Sequence, residues 1–184
     1  MTPLVIFLEE PSARAMLQGL LPRILPETVA VQYIVFEGKS DLEKKLPKRL
    51  RAWQAPDAKF LVLRDQDSGD CRVIKDGLVQ KCHDAAKPDV VVRIACRELE
   101  SFYLGDLAAV ADAIGPNAVR HKQQQRKFRT PDKLGSPSRE LKQLAPSYQK
   151  IAGSRAIGLQ LNIEANHSRS FQVLIEGIRE LVES

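Results

Sequence analysis

Four short apolar runs mark the first half of the chain. Leu4-Val5-Ile6-Phe7-Leu8 stops at Glu9-Glu10, and residues 28–36 alternate, rich in Val and Ile, until Gly38. Residues 59–64 stop at Asp65-Gln66-Asp67, and residues 89–95 are dominated by Val and Ile. Runs of this length, rich in β-branched residues and bounded by turn formers or charges, predict strands. Near-continuous apolar character predicts strands buried on both faces, as in a parallel sheet. Helical spacing fills the intervals. Pro11-Ser12 suits a helix start, and Met16, Leu17, Leu20, Leu21, Ile24 and Leu25 make an apolar stripe with Pro22 as its kink. A basic helix is predicted over 40–53, weakened at Pro47, and a third over 71–85, interrupted by Gly77. Alternating strands and helices predict an α/β fold with a mostly parallel, doubly wound sheet.

The second half is helical with irregular connections. A helix is predicted over 98–114, ending at Gly115-Pro116. Residues 116–137, with many Gln, Arg, Lys and Pro, read as a long excursion or mobile loop. A helix over 138–151 is broken at Pro146, and 168–182 places Phe171, Leu174, Ile175, Ile178, Leu181 and Val182 on one face, suited to packing on the sheet. The expected organisation is an α/β core over 1–115, with a basic loop and helices over 116–184 packing on it as one compact domain. There is no internal repeat.

Composition narrows the function classes. In 184 residues, 28 Lys and Arg face 23 Asp and Glu, a net charge of +5 that favours an anionic partner. No stretch of about 18 apolar residues occurs, and no basic-then-apolar leader is present, so a soluble, cytoplasmic protein without a membrane partner is expected. Cys71, Cys82 and Cys96 are an odd number, which argues for reduced thiols. They and His83 form no Cys-x-x-Cys pair, so zinc is disfavoured. Ser168, Ser170 and His167 lack a nucleophile-elbow pattern, and the glycines form no phosphate-binding loop, which argues against a hydrolytic triad or an ATPase activity of the chain's own.

The chemistry sits where the strands end. Open α/β sheets build their sites beyond the carboxyl ends of their strands. If the strands before Glu9-Glu10 and Asp65-Gln66-Asp67 are neighbours, their carboxylates meet in one crevice. Such a group repels itself, raises its own pKa values and is most simply neutralised by a hard divalent cation such as Mg²⁺ or Mn²⁺, which points to phosphoryl chemistry. The competing reading is structural, since acids at strand ends also serve loops and helix caps. Glu98 and Glu100 equally suit the positive end of a helix.

A glutamate closing the first strand, then a helix, then an Asp-x-Asp pair closing a later strand resembles the topoisomerase-primase (Toprim) arrangement. More narrowly, Phe7-Leu8-Glu9-Glu10-Pro11-Ser12-Ala13, Arg64-Asp65-Gln66-Asp67-Ser68-Gly69-Asp70-Cys71 and Arg97-Glu98-Leu99-Glu100-Ser101-Phe102 resemble a bacterial family of unassigned function. That family is Toprim-like and akin to the nuclease half of the overcoming-lysogenization-defect proteins. Its members often sit beside ATPase genes in phage-defence or mobile regions. The resemblance runs over most of the chain and implies a Toprim-like sheet with a helical carboxyl-terminal extension, acting as a Mg²⁺-dependent nuclease. Glu9 would be the Toprim glutamate that activates water or shuttles a proton. Glu10 stands where glycine is common and adds a carboxylate. Asp65 and Asp67 would hold Mg²⁺, with Asp70, Glu98 and Glu100 as contributors to a second metal, and Lys150 or Arg64 would offset charge in the transition state.

The segment from Arg120 to Arg129 carries Arg120, Lys122, Arg126, Lys127 and Arg129 and no acid. It is suited to a nucleic-acid backbone, with Phe128 free to stack and the glutamines to hydrogen-bond; a solvated mobile loop is the alternative. For the whole chain, the alternative to a nuclease is a binding module with a catalytically silent crevice that regulates an ATPase partner.

Overall fold

The computed structural model describes residues 2–183. Strands β1 (Thr2–Leu8), β2 (Val29–Val35), β3 (Lys59–Asp65) and β4 (Val91–Ala95) alternate with helices α1 (Pro11–Leu20), α2 (Lys39–Arg51) and α3 (Cys71–Asp84). The strands form a four-stranded, all-parallel sheet in the order β2-β1-β3-β4. This α/β sheet, flanked by helices, is consistent with a Toprim-like arrangement. Its alternation assigns the two faces. Leu4, Ile6, Leu8, Leu61 and Leu63 pack with Met16, Leu17 and Leu20 of α1. Val5, Phe7, Phe60 and Val62 pack with Leu42, Leu46 and Leu50 of α2 and with Leu78 and Cys82 of α3. Both strand faces are therefore covered, which is why these runs read as continuously apolar.

The carboxyl-terminal half completes the first face. One helix was expected over 98–114, but two are found, α4 (Glu100–Leu104) and α5 (Leu107–Ile114). The break has a packing cause: a Cβ on Gly105 would lie 2.0 Å from Asn166 Oδ1, and Asp106 then caps α5 by accepting from the Ala109 amide. The stretch read as a mobile loop is ordered into a 3₁₀ turn (Asn117–Gln124), α6 (Arg126–Arg129) and a second turn (Pro131–Lys133). Val119 and Phe128 are buried in the core. The Gln123 side chain accepts from Leu107 N at 2.7 Å and donates to the carbonyls of Leu104 and Phe128. Asp132 accepts from Ser168 Oγ and Ser170 N, fastening this segment to the start of the last helix.

Helices α7 (Pro137–Leu144) and α8 (Lys150–Gln160) replace the predicted broken helix, and α9 (Arg169–Glu183) closes the chain. Phe171, Leu174, Ile175, Ile178 and Leu181 of α9 are buried against the sheet side as their spacing predicts. Arg93 of β4 reaches the Val173 carbonyl at 3.0 Å, lying where a Cβ on Gly177 would come within 2.5 Å of its guanidinium. Among the described residues no helix is long and apolar enough to cross a membrane, and the three cysteines are free thiols.

Candidate functional site

Strands β1 and β3 are neighbours in register, with Leu8 opposite Leu63. The chain leaves β1 for α1 on one face and leaves β3 for α3 on the other. That divergence is the topological switch point, where a doubly wound sheet opens a crevice. Glu9 lies directly beyond β1, and its Oε2 accepts from the Asp65 backbone N–H at 3.1 Å, so its carboxylate spans the β1–β3 seam. Asp65 ends β3 and is buried. Asp67 follows in a left-handed conformation (φ 55°). Its amide donates to the Arg97 carbonyl at 2.7 Å, and its carboxylate meets Lys39 Nζ at 3.0 Å.

Three further acids join them. Glu10 sits at the start of α1, where it accepts from Ser12 Oγ and Lys150 Nζ, each at 2.6 Å. Glu98 accepts from the Ser138 amide at 2.6 Å. Glu100 is 1 % exposed and accepts from the Tyr148 hydroxyl at 2.9 Å. All six carboxylates line one open crevice of about 590 Å³, together with Ser138, Arg139, Lys142, Tyr148 and Lys150. The arrangement is an acidic floor beneath a basic rim.

Burial sets the proton affinities of the floor. It pushes the Asp65 carboxyl well above its ordinary value, helped by the negative charges of Glu10, Glu9 and Glu100. Burial also raises Glu9; the Asp65 amide opposes this, while Asp67 and Glu10 add to it. Glu100 is raised by burial despite the stabilising Tyr148 and Lys150. On Lys150, burial acts to lower the pKa, but the bond to Glu10 and the charges of Glu10, Glu100 and Asp65 outweigh it and raise the ammonium above its usual range.

An all-carboxylate donor set suits a hard cation. As the side chains stand, however, no three His, Cys, Asp or Glu among the described residues are drawn closely enough together to hold a metal ion. Lys39 and Lys150 instead neutralise Asp67 and Glu10.

Residues 8–179 match the family model described as a domain of unknown function, DUF4276. The chain belongs to that family. The match spans both strand-end acid clusters and the crevice wall formed by Glu98, Glu100, Tyr148 and Lys150. Comparison with curated proteins and with solved structures gave no match.

In this DUF4276 chain several predicted site residues lie elsewhere. Asp70 caps α3, accepting from the amides of Arg72 at 2.8 Å and Val73 at 3.2 Å, and does not line the crevice. Arg64 alternates to the other sheet face, where it pairs with Glu43; its Nε stands 3.9 Å from Glu9. None of Arg120, Lys122, Arg126, Lys127 and Arg129 lines the crevice. Arg120 pairs with Asp112 and Lys127 with Glu140. Phe128 is wholly buried and cannot stack on a base.

The sequence reading missed Lys39, Tyr148, Arg139 and Lys142. Lys39 had a usable signal, because it follows Gly38 just beyond β2 and so belongs to the same strand-end set. Tyr148 had none, since its partner Glu100 lies 48 positions away.

The raised Glu100 yields a stability prediction. A buried acid with a raised folded pKa binds its proton more tightly in the folded state. Its presence therefore erodes stability as pH climbs from the ordinary value of 4.5 through the raised one. Glu100→Gln keeps an acceptor for Tyr148 and removes the charge. It should stabilise the protein by about 1 kcal/mol at pH 8 and by nearly nothing near pH 4. Urea midpoints at the two pH values measure this; equal effects at both would refute the burial argument.

Proposed function

We propose that this DUF4276 chain is a Toprim-like, Mg²⁺-dependent nuclease that hydrolyses phosphodiesters as a cytoplasmic component of a bacterial defence or mobile-element system. The observation that carries this reading is the acidic floor at the β1–β3 switch point beneath a rim of Arg139, Lys142, Lys150 and Lys39. Asp65 and Asp67, with Glu9 beside them, would hold Mg²⁺ or Mn²⁺. The bound cation supplies positive charge at the phosphoryl oxygens, which these carboxylates would otherwise repel.

The chain's own residues would do the rest. Glu9, its proton affinity raised by burial, accepts a proton from the attacking water. The water oxygen bonds to phosphorus, the ester P–O bond breaks, and the departing oxygen takes up a proton from solvent. Lys150, released from Glu10 by the incoming phosphate, offsets the charge that gathers on the phosphoryl oxygens. Tyr148 holds Glu100 in place behind the floor.

A second reading has one observation in its favour. Because Lys39 and Lys150 already neutralise two of the acids, and no three ligands stand gathered, the crevice also suits a silent docking surface for an ATPase partner. Labelled single- and double-stranded DNA and RNA, incubated with Mg²⁺ or Mn²⁺, separate the two. The nuclease reading expects cleavage of at least one substrate and a rise in melting temperature with millimolar metal, through binding to the folded state alone. It also expects Asp65→Asn with Asp67→Asn to abolish both. Intact substrates and an unmoved melting temperature would leave the docking module.

A further inference from the structure

Besides the segment from Arg120 to Arg129, positive charge is also gathered on α2. In thirteen residues α2 carries Lys39, Lys44, Lys45, Lys48, Arg49 and Arg51 against two acids, Asp41 and Glu43. Both acids are occupied locally. Asp41 accepts from the Glu37 amide and pairs with Lys45 at 2.6 Å, and Glu43 pairs with Arg64 of β3. Leu42, Leu46 and Leu50 fix the inner face of the helix in the core. At 100° per residue, Lys44, Lys48 and Arg51 then fall on the opposite, solvent side, while Arg49 lies about 100° round the helix from Lys48 and is also exposed. Lys44, Lys48 and Arg49 are exposed and have no acid partner among the described residues.

The place of this strip matters as much as its charge. Helix α2 starts just beyond the carboxyl end of β2, and Lys39 at its first turn is the residue bonded to Asp67 in the crevice. From there α2 runs away from the crevice over about 20 Å, the length of a helix of this size, with Lys44, Lys48 and Arg51 on its outer side.

We infer that α2 is the track along which double-helical nucleic acid lies as it enters the crevice, held by phosphate contacts from Lys44, Lys48, Arg49 and Arg51. The inference rests on the nuclease reading for its substrate class and adds where that substrate binds. Three features select the partner. A row of cations on a convex helix suits a long, regularly charged polymer rather than a small anion, which needs a concave pocket. Among the described residues the large apolar side chains left exposed are Val73, Ile151 and Leu159, none of them on α2, so the strip lacks the anchors a protein partner would need. Helix α2 itself carries no aromatic, so its strip offers no stacking platform of the kind that holds single strands, and a duplex read through its backbone is favoured.

The test measures binding by fluorescence anisotropy in EDTA, so that cleavage does not intervene, across a salt series with 30-mer duplex and single-stranded probes of DNA and RNA. The combined variant Lys44→Gln, Lys48→Gln, Arg49→Gln alters only exposed side chains of a helix whose inner face is untouched. It should lose more than about tenfold in duplex affinity and lower the salt slope by between about 2 and 3 units. The matching variant Arg126→Gln, Lys127→Gln, Arg129→Gln should bind as the parent does. The α2 inference is overturned if the α2 variant keeps the parent's affinity and slope, or if the loss falls on the second variant instead. It is also overturned if the parent prefers single strands, or binds polyglutamate through α2 and no duplex. A parent that binds duplex through α2 but never cleaves it with Mg²⁺ upholds this inference while refuting the nuclease reading. Cleavage with α2-independent binding does the reverse.

Discussion

Replacing Glu9 with Gln is expected to reduce the cleavage rate by about 10²- to 10⁴-fold, the range for removing a general base, while the protein stays folded. The glutamine oxygen can still accept from the Asp65 amide, so the bond across the β1–β3 seam survives the change. What disappears is the carboxylate proposed to take the proton. In the parent, the rate should rise with pH through a value above the ordinary 4.5 of a glutamate, because burial raises Glu9 and the base must be ionised to work. In the variant that rising limb should vanish. The melting temperature at neutral pH should hold or increase, since a desolvated charge beside Asp67 and Glu10 has been removed. A Glu9→Gln protein that cleaves at the parent's rate would show that the proton goes elsewhere.

Gly158→Ala should produce a large loss of stability. Helices α1 and α8 touch backbone to backbone. A Cβ at Gly158 would lie 2.3 Å from the Met16 carbonyl oxygen, and one at Gly19 would lie 2.8 Å from the Leu159 amide. Neither obstacle is the end of a flexible side chain, so the helices themselves must part. A cost of about 3 kcal/mol is expected, the upper part of the overpacking range. In a chain of this length it corresponds to a fall of roughly 6–12 °C in melting temperature. The two helices lie side by side from their first turns, where Lys150 of α8 meets Glu10 at the head of α1. Forcing them apart should therefore also weaken the crevice rim and with it the response to metal. Gly77→Ala is the control: a Cβ there meets nothing within 4 Å, in the middle of α3. It should be neutral or stabilise by up to about 1 kcal/mol. Equal melting temperatures for the two variants would remove the close-approach argument.

The sequence by itself determined the four strands, most of the helices, and the delivery of Glu9, Glu10, Asp65 and Asp67 to strand ends. Those features are local: a run of Val, Ile and Leu and the charge that stops it are neighbours in the chain, so spacing alone exposes them. That local order also carried the family membership seen over residues 8–179. Only the tertiary structure decided that β1 lies beside β3, and hence that the two acid clusters share one crevice. The same holds for the pairing of Tyr148 with Glu100 and of Lys150 with Glu10, the latter 140 positions apart.

Where the reading failed, packing overrode local character. Asp70 was expected to contribute to a second metal, but its side chain caps helix α3 instead. The segment from Arg120 to Arg129 read as part of a mobile stretch suited to nucleic acid, with Phe128 free to stack, but Phe128 within it and Val119 just before it are buried and fold it onto the core. Its glutamine-rich, charged composition hid this, because one buried ring and one well-placed amide, Gln123, are too sparse to leave a periodicity. The basic helix α2 was legible as basic from its sequence. That its cations begin at Asp67, beside the acids, depended on the strand order, which no local pattern records.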